Sequence, residues 1–166
     1  MDSKHLTGKP DADAVNITPL AHEAVIDAPL IEVWNVWATS AGLRAWMAPH
    51  AEIDLRVGGL MRVNYNPEGQ LGDPQTIINT VLSFEPQRMI SIKVVKTPEG
   101  FPFPNAITQM WSVIYFAEVD SKRTAVREVS LGFTAVPDSK LMRKYFERGI
   151  SATLDGLQRY LTGKSM

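Results

Sequence analysis

The sequence predicts an α+β domain in which a curved antiparallel sheet of six to seven strands wraps around one long C-terminal helix, with two short helices after the first strand. Three observations predict it. From Leu20 onward, runs of alternating polar and apolar residues recur between turn-rich pieces, which is the period of a half-buried strand. Two short helical patterns interrupt those runs once, directly after the first. At the end, Met142, Phe146, Gly149/Ile150, Thr153, Leu157 and Tyr160/Leu161 recur at helical spacing and form one apolar stripe about six turns long.

The first strand places Leu20, His22, Ala24 and Ile26 on one side, with Glu23 and Asp27 on the other. Ala28-Pro29 opens a helix, because proline suits a helix start where its missing N–H leaves no bond unmade. That helix runs to about Trp37 and is apolar nearly all round, so burial of most of its surface is expected. Thr39-Ser40 caps a second short helix through Trp46. After Pro49, Ile53, Leu55 and Val57 alternate with Glu52, Asp54 and Arg56, and Gly58-Gly59 is expected to make a tight hairpin turn back into Met61, Val63 and Tyr65. Further strands are expected at about 75–85, 88–96, 107–119 and 123–135. Asp138 or Ser139 is the expected cap of the last helix.

The chain of 166 residues is long enough for one domain with a real core. Residues 1–18 are polar and aperiodic and read as an N-terminal arm, 19–162 as the domain, and 163–166 as a tail. A formal net charge of −1 offers no polycationic face, so nucleic acid is not expected as a partner. The absence of cysteine excludes disulfides, thiolate metal sites and a cysteine nucleophile. Apolar runs fall short of the roughly 20 residues of a membrane-spanning helix, so no membrane insertion is expected. The first residues lack the apolar core of a secretory leader, and a cytoplasmic location is expected.

A twisted sheet of six or seven strands curls, and one helix crossing its concave side cannot fill the trough. The remaining space is either packed with large side chains or left open for a ligand.

The runs VIDAPLIEVWNVWA, LRAWMAP, EIDLRVGGLMRV and GISATLDGLQRYL, in that order, resemble the SRPBCC superfamily. This is the START-like or birch-pollen-allergen-like helix-grip fold, and within it the sequence is most similar to the branch named after the activator of the heat-shock-protein-90 ATPase. Trp46-x-x-Pro49 and Asp54-x-Arg56-x-Gly58-Gly59 carry the likeness, which covers roughly residues 19–162. The resemblance implies a Gly-Trp near the final helix, where this chain has Gly149-Ile150. Loss of an indole there is expected to enlarge the space beneath the helix unless another side chain has grown into it. The loop from Thr97 to Ala106 holds two phenylalanines and three prolines, and Phe101 and Phe103 are expected to fold over one mouth of the cavity.

No Gly-x-Ser-x-Gly, paired-histidine or phosphate-loop pattern occurs, so no metal or cofactor is expected and no catalytic constellation stands out. Glu128 is the weak catalytic candidate, with His22 on the pairing strand. Alignment by resemblance puts Val126, Glu128 and Ser130 on one face, whereas hydrophobicity favours Val129, Leu131 and Phe133 inward. A cavity-facing Glu128 would be desolvated and able to act as an acid or base. A surface ion pair is the favoured expectation for it. Asp54 and Arg56 are expected to form cross-strand ion pairs that fix register.

The ligand-lining set expected from adaptable and aromatic side chains is Trp34, Trp37, Met61, Tyr65, Met110, Trp111, Tyr115, Met142 and Phe146, with Tyr145 in the same aromatic group. Phe103 and Ile150 join that set from the loop and the helix. Residues of these kinds also fill ordinary cores. The functional expectation is binding of a hydrophobic or aromatic small molecule, lipid- or polyketide-like, between the last helix and the sheet, oriented by Tyr65 or Tyr115. The alternatives are an enzyme resembling polyketide cyclases and aromatases, or a hydrolase-type enzyme, using the same cavity, and a stress-response or co-chaperone partner protein. Residues 113–117 are apolar on both sides, which is compatible with a homodimer.

Overall fold

The computed structural model describes residues 18–164, so most of the expected N-terminal arm, with His5, lies outside the described residues. The chain runs β1 (Leu20–Ile26), α1 (Leu30–Ala38), α2 (Ser40–Trp46), β2 (His50–Ile53) and β3 (Leu60–Asn64). It continues through β4 (Ile77–Glu85), β5 (Met89–Lys96), β6 (Trp111–Asp120), β7 (Arg123–Leu131) and α3 (Pro137–Thr162). A single 3-10 turn at Ala106–Gln109 precedes β6. The strands form one seven-stranded antiparallel sheet in the order β1-β7-β6-β5-β4-β3-β2. The sheet curls into a half-barrel, and α3 lies along its concave side.

β1 follows its alternation, burying Leu20 and Ile26 and exposing Ala21, Glu23 and Val25. Pro29 sits at the N-cap of α1 and its carbonyl accepts the first helical bond from Val33 at 3.1 Å. Burial of α1 is one-sided: Val33, Trp34 and Trp37 are buried, whereas Ile31 is 49% exposed. The helix covers the sheet with one face only, so the expectation of burial all round is corrected. Thr39 caps α2 as expected, its hydroxyl accepting from Gly42 N at 3.0 Å.

The expected tight hairpin at Gly58-Gly59 is replaced by a longer connection. β2 begins at His50 and stops at Ile53, and residues 54–59 leave the ladder. Asp54 N still donates to Leu60 O at 2.9 Å, and the far end of the loop bonds β4: Gly58 N donates to Val81 O, and Val81 N donates to Gly59 O, both at 2.8 Å. Asp54 and Arg56 therefore pair with each other inside this loop at 2.6 Å, exposed, and not across strands. The cross-strand ion pair belongs to Glu52 and Arg62, which oppose one another in the β2–β3 register.

α3 starts at Pro137 after an N-cap at Val136 that makes no side-chain bond, so neither Asp138 nor Ser139 caps it. Ser139 instead accepts from Thr134 N at 2.8 Å, which ties the incoming chain to the first turn. The helix buries Met142, Ile150, Leu154 and Leu157, while Tyr160 at 49% exposure falls outside the stripe. Gln158, also buried, accepts from Asp27 N at 3.1 Å and fixes the helix to the corner between β1 and α1.

Gly132 closes β7 with φ of +83°, and a Cβ there would lie 1.9 Å from the Gln109 carbonyl oxygen. Only glycine permits this approach, which holds the end of β7 against the turn that leads into β6.

Candidate functional site: a cavity between the long helix and the sheet

In register, β7 places Val126, Glu128 and Ser130 on the face that β1 shares through Ala24, His22 and Leu20. β6 adds Ser112, Ile114 and Phe116 to the same face. This is the concave side, because Ile26, Ile114, Phe116 and Val126 pack there against Trp34, Trp37 and Leu157. The trough is not filled along its whole length. A cavity of about 180 Å³ remains between the sheet and α3.

Its floor comes from five consecutive strands: Met61 and Val63 of β3, Ile77 and Asn79 of β4, Ile92 and Val94 of β5, Ser112 and Ile114 of β6, and Glu128 and Ser130 of β7. Phe146 and Thr153 of α3 form the roof, with Trp37 and Met47 at one side and Met110 and Tyr65 completing the wall. Met47, Tyr65 and Thr153 also line a shallow outer depression with Trp46, Ala152 and Gly156, so these three side chains separate the cavity from solvent.

The polar groups inside are few and unevenly satisfied. Ser112 and Ser130 hydroxyls bond each other at 3.1 Å across β6 and β7. Glu128 Oε2 and Trp37 Nε1 are buried and have no hydrogen-bond partner among the described residues. His22 Nε2, on the residue directly opposite Glu128 in β1, is the third such atom. Desolvation pushes the Glu128 carboxyl up from its ordinary 4.5 to about 7. Tyr65 is more than half exposed as a residue, yet its phenol is raised, first by burial and then by the Glu128 charge. Tyr65 lines both the cavity and the outer depression, so it stands between the cavity and its mouth.

Glu128 is therefore not the surface ion pair expected from its sequence neighbours. Arg127 points to the other face, where its guanidinium lies 5.9 Å from the Tyr115 ring centroid. Val129 shares the sheet face of Arg127 yet is buried there, and Phe133 reaches the core only beyond the end of β7.

Of the expected ligand-lining residues, Trp37, Met61, Tyr65, Met110 and Phe146 come together around the cavity. Trp34 does not line it: its ring packs edge-on to Phe116 at 5.4 Å within the core. Trp111 and Tyr115 are 36% and 43% exposed and lie on the outer face, because Ser112 and Ile114 take the inner positions of β6. Tyr115 accordingly cannot orient a ligand in this cavity. Met142 and Ile150 sit in a separate apolar cluster with Ile107, Met110 and Phe133. Phe101, Phe103 and Phe146 pack onto that cluster. Phe103 thus lies outside the cavity wall, although its neighbours Phe101 and Tyr145 contact Phe146, which is part of it.

Sequence reasoning missed Asn79, Ser112, Ser130 and Thr153. Small polar residues in apolar strands were the available signal, and Ser112 and Ser130 share the face of Glu128. Among the described residues no group of three His, Cys, Asp or Glu side chains could hold a metal ion, and no helix is long and apolar enough to cross a membrane.

Solved structures share this architecture at low identity. The Aha1 dimer from Colwellia psychrerythraea matches with a TM-score of 0.67 at 16% identity, over 90% of this chain and 100% of that one. CalU16 from Micromonospora echinospora matches with a TM-score of 0.62 at 22% identity, over 88% of this chain and 75% of that one. Norcoclaurine synthase from Thalictrum flavum, solved with dopamine and hydroxybenzaldehyde, matches with a TM-score of 0.63 at 12% identity, over 100% of this chain and 99% of that one. No curated protein sequence matches the chain. The model of the Activator of Hsp90 ATPase homolog 1-like protein family matches residues 27–162, and with that match over most of its length the chain belongs to this family of the SRPBCC superfamily.

Proposed function

We propose that this protein binds a small hydrophobic molecule, of single-ring size, in the cavity beneath α3. One observation carries the reading. The cavity is lined by apolar and aromatic side chains and by Trp37 and Glu128, whose buried Nε1 and Oε2 atoms have no hydrogen-bond partner among the described residues. Buried polar groups are almost always hydrogen-bonded, and a site left open in this way is suited to an outside partner. The volume of about 180 Å³ is close to that of an apolar cavity of about 150 Å³ that accommodates benzene. It lies below the roughly 300–1,000 Å³ of drug-sized ligand sites, so the lipid- or polyketide-like ligand expected from the sequence is reduced to one ring with short substituents.

Native mass spectrometry of gently purified protein, followed by a thermal-shift screen of single-ring compounds, tests this. A stoichiometric bound molecule, or ring-sized compounds that raise Tm, is the expected result. Bare protein with no thermal response to any of them would make the cavity a packing flaw and bring the partner-protein reading forward.

A second reading has its own observation. A carboxyl held near neutrality is suited to general acid or base work on whatever the cavity binds. Turnover of a bound compound that Glu128→Gln abolishes would favour it, and full turnover by that variant would dispose of it. Self-association is a further part of the proposal. Val25, Val95, Tyr115 and Val119 are exposed apolar positions on the sheet strands β1, β5 and β6, and sedimentation velocity decides whether a second copy covers them.

A further inference from the structure

We propose that the cavity selects an amine: a single-ring molecule whose ammonium donates to Glu128 and whose oxygen accepts from the Trp37 indole N–H. The inference rests on the cavity-binding reading above and names its ligand class. It starts from charge. The residues lining the cavity include one carboxylate and no lysine or arginine. The neighbouring cation in the chain, Arg127, is turned to the opposite face over Tyr115. Among the described residues, Glu128 Oε2 thus has neither an ion-pair partner nor a hydrogen-bond donor, although it is buried. A buried carboxylate in that state is stabilised either by a proton or by a cation brought from outside.

The walls favour the cation. Trp37, Tyr65 and Phe146 present three aromatic rings to the same small space, and aromatic faces attract an ammonium group. An anionic ligand would meet the Glu128 charge with nothing to offset it. A neutral hydrogen-bonding ligand would leave that charge uncompensated whenever the carboxyl is ionised. The Trp37 Nε1 atom supplies the second constraint, because a donor without a partner calls for an acceptor on the ligand. The volume of about 180 Å³ limits the whole to one ring.

The titratable groups that face Glu128 are His22 from β1 and Tyr65 after β3. The other elements packed around it present Ile114 from β6, Trp37 from α1, and Phe146 and Thr153 from α3, none of which titrates. Amine binding should therefore follow the ionisation of Glu128, whose carboxyl loses its proton near pH 7. An alkylamine stays protonated across this range, as lysine does.

The ammonium contact with Glu128 is tested with three probes of one shape, phenethylamine, 2-phenylethanol and phenylacetate, titrated calorimetrically into the full chain at pH 6 and pH 8. The expected result is that phenethylamine binds about tenfold tighter at pH 8 than at pH 6, as the ionised fraction of Glu128 rises. At pH 8 it should outbind 2-phenylethanol by about tenfold or more, and Glu128→Gln should abolish that preference. Phenylacetate should be the weakest. If 2-phenylethanol binds as tightly as the amine at pH 8, or if the amine binds no tighter at pH 8 than at pH 6, the amine class is overturned while the cavity-binding reading stands. If none of the three binds at either pH, both fall. Should Glu128→Gln not fold, the pH profile of the wild-type chain decides alone.

Discussion

His22 and Glu128 oppose each other directly in the β1–β7 ladder, and each carries a buried side-chain atom with no hydrogen-bond partner among the described residues. Opposed residues of an antiparallel pair hold their Cβ atoms about 4.5–5.5 Å apart on one face. Two adjacent strands therefore deliver two unsatisfied polar groups to the concave side of the sheet, where an ordinary core would place apolar side chains. Such a pair costs the fold stability, because each buried group gives up its hydrogen bonds with water without gaining another.

The first prediction concerns Glu128 and pH. The folded protein holds the Glu128 proton up to about pH 7, against an ordinary value of 4.5. The folded state thus binds more protons than the unfolded chain between those values. The associated stability is fully present below the unfolded value and is lost as pH rises through the folded one. The loss amounts to roughly 3 kcal/mol by pH 8. Glu128→Gln cannot ionise, so its stability relative to wild type should climb by that order between pH 4.5 and pH 8. Urea unfolding at several pH values measures the difference, and a constant offset between the two proteins would refute the assignment.

The fold was legible in the sequence because its signals are local and repeated. The alternation in β1 survives in the structure, the stripe of α3 survives at Met142, Ile150 and Leu157 while Tyr160 leaves it, and Thr39 caps α2 through its own hydroxyl. The site was half legible. Trp37, Met61 and Phe146 were marked by residue type, but type cannot show that Trp37 lines the cavity as well as packing in the core, whereas Trp34, three residues earlier, only packs in the core. That distinction depends on where α1 lies against β6. Glu128 was misread for a similar reason. Its neighbour Arg127 suggests a surface pair, and only the register with Ile114 and His22 shows that the two side chains part to opposite faces.

The two tryptophans should respond differently to substitution. Trp34 is 8% exposed and packs edge-on to Phe116, so Trp34→Ala should lower stability by about 3–5 kcal/mol. Trp37→Phe keeps the aromatic contacts with Trp46 and Phe116 and removes an N–H that has no partner. It should change stability by no more than about 1 kcal/mol while weakening an oxygen-bearing ring ligand several-fold. Parallel denaturation and ligand titrations check both. A loss from Trp37→Phe as large as that from Trp34→Ala would show that packing alone retains the Trp37 indole.

Tyr115 should be silent in ligand binding. It is exposed on the outer face beside Arg127, on the far side of the sheet from the cavity. Tyr115→Ser should leave the affinity of any cavity ligand unchanged and cost less than about 1 kcal/mol of stability. A ligand affinity that fell with this variant would place the binding site on the wrong side of the sheet.

Gly132 should not tolerate alanine. The added Cβ would meet the Gln109 carbonyl oxygen at 1.9 Å, and φ of +83° already disfavours an L side chain. Both effects act on the junction between β7 and the turn before β6, so Gly132→Ala should destabilise by about 2 kcal/mol or more. For a domain of this size that is a fall in Tm of about 4–8 °C. An unchanged melting temperature would mean that the junction yields without cost.

Phe103 should govern release rather than contact. Its ring stands 5.8 Å from Phe101 and 6.0 Å from Tyr145, both of which pack against Phe146. Phe146 is the only one of these four rings that lines the cavity, so the other three act on a ligand by holding it in place. Phe103→Ser leaves the cavity wall intact but removes one side of the cluster that supports it. The off-rate of a bound ring compound, measured by stopped-flow displacement, should rise several-fold, with a smaller change in on-rate because the Tyr65 mouth is untouched. Unchanged release from Phe103→Ser would mean that the aromatic cluster only fills the space beneath Ile150 and that ligand traffic runs entirely past Tyr65.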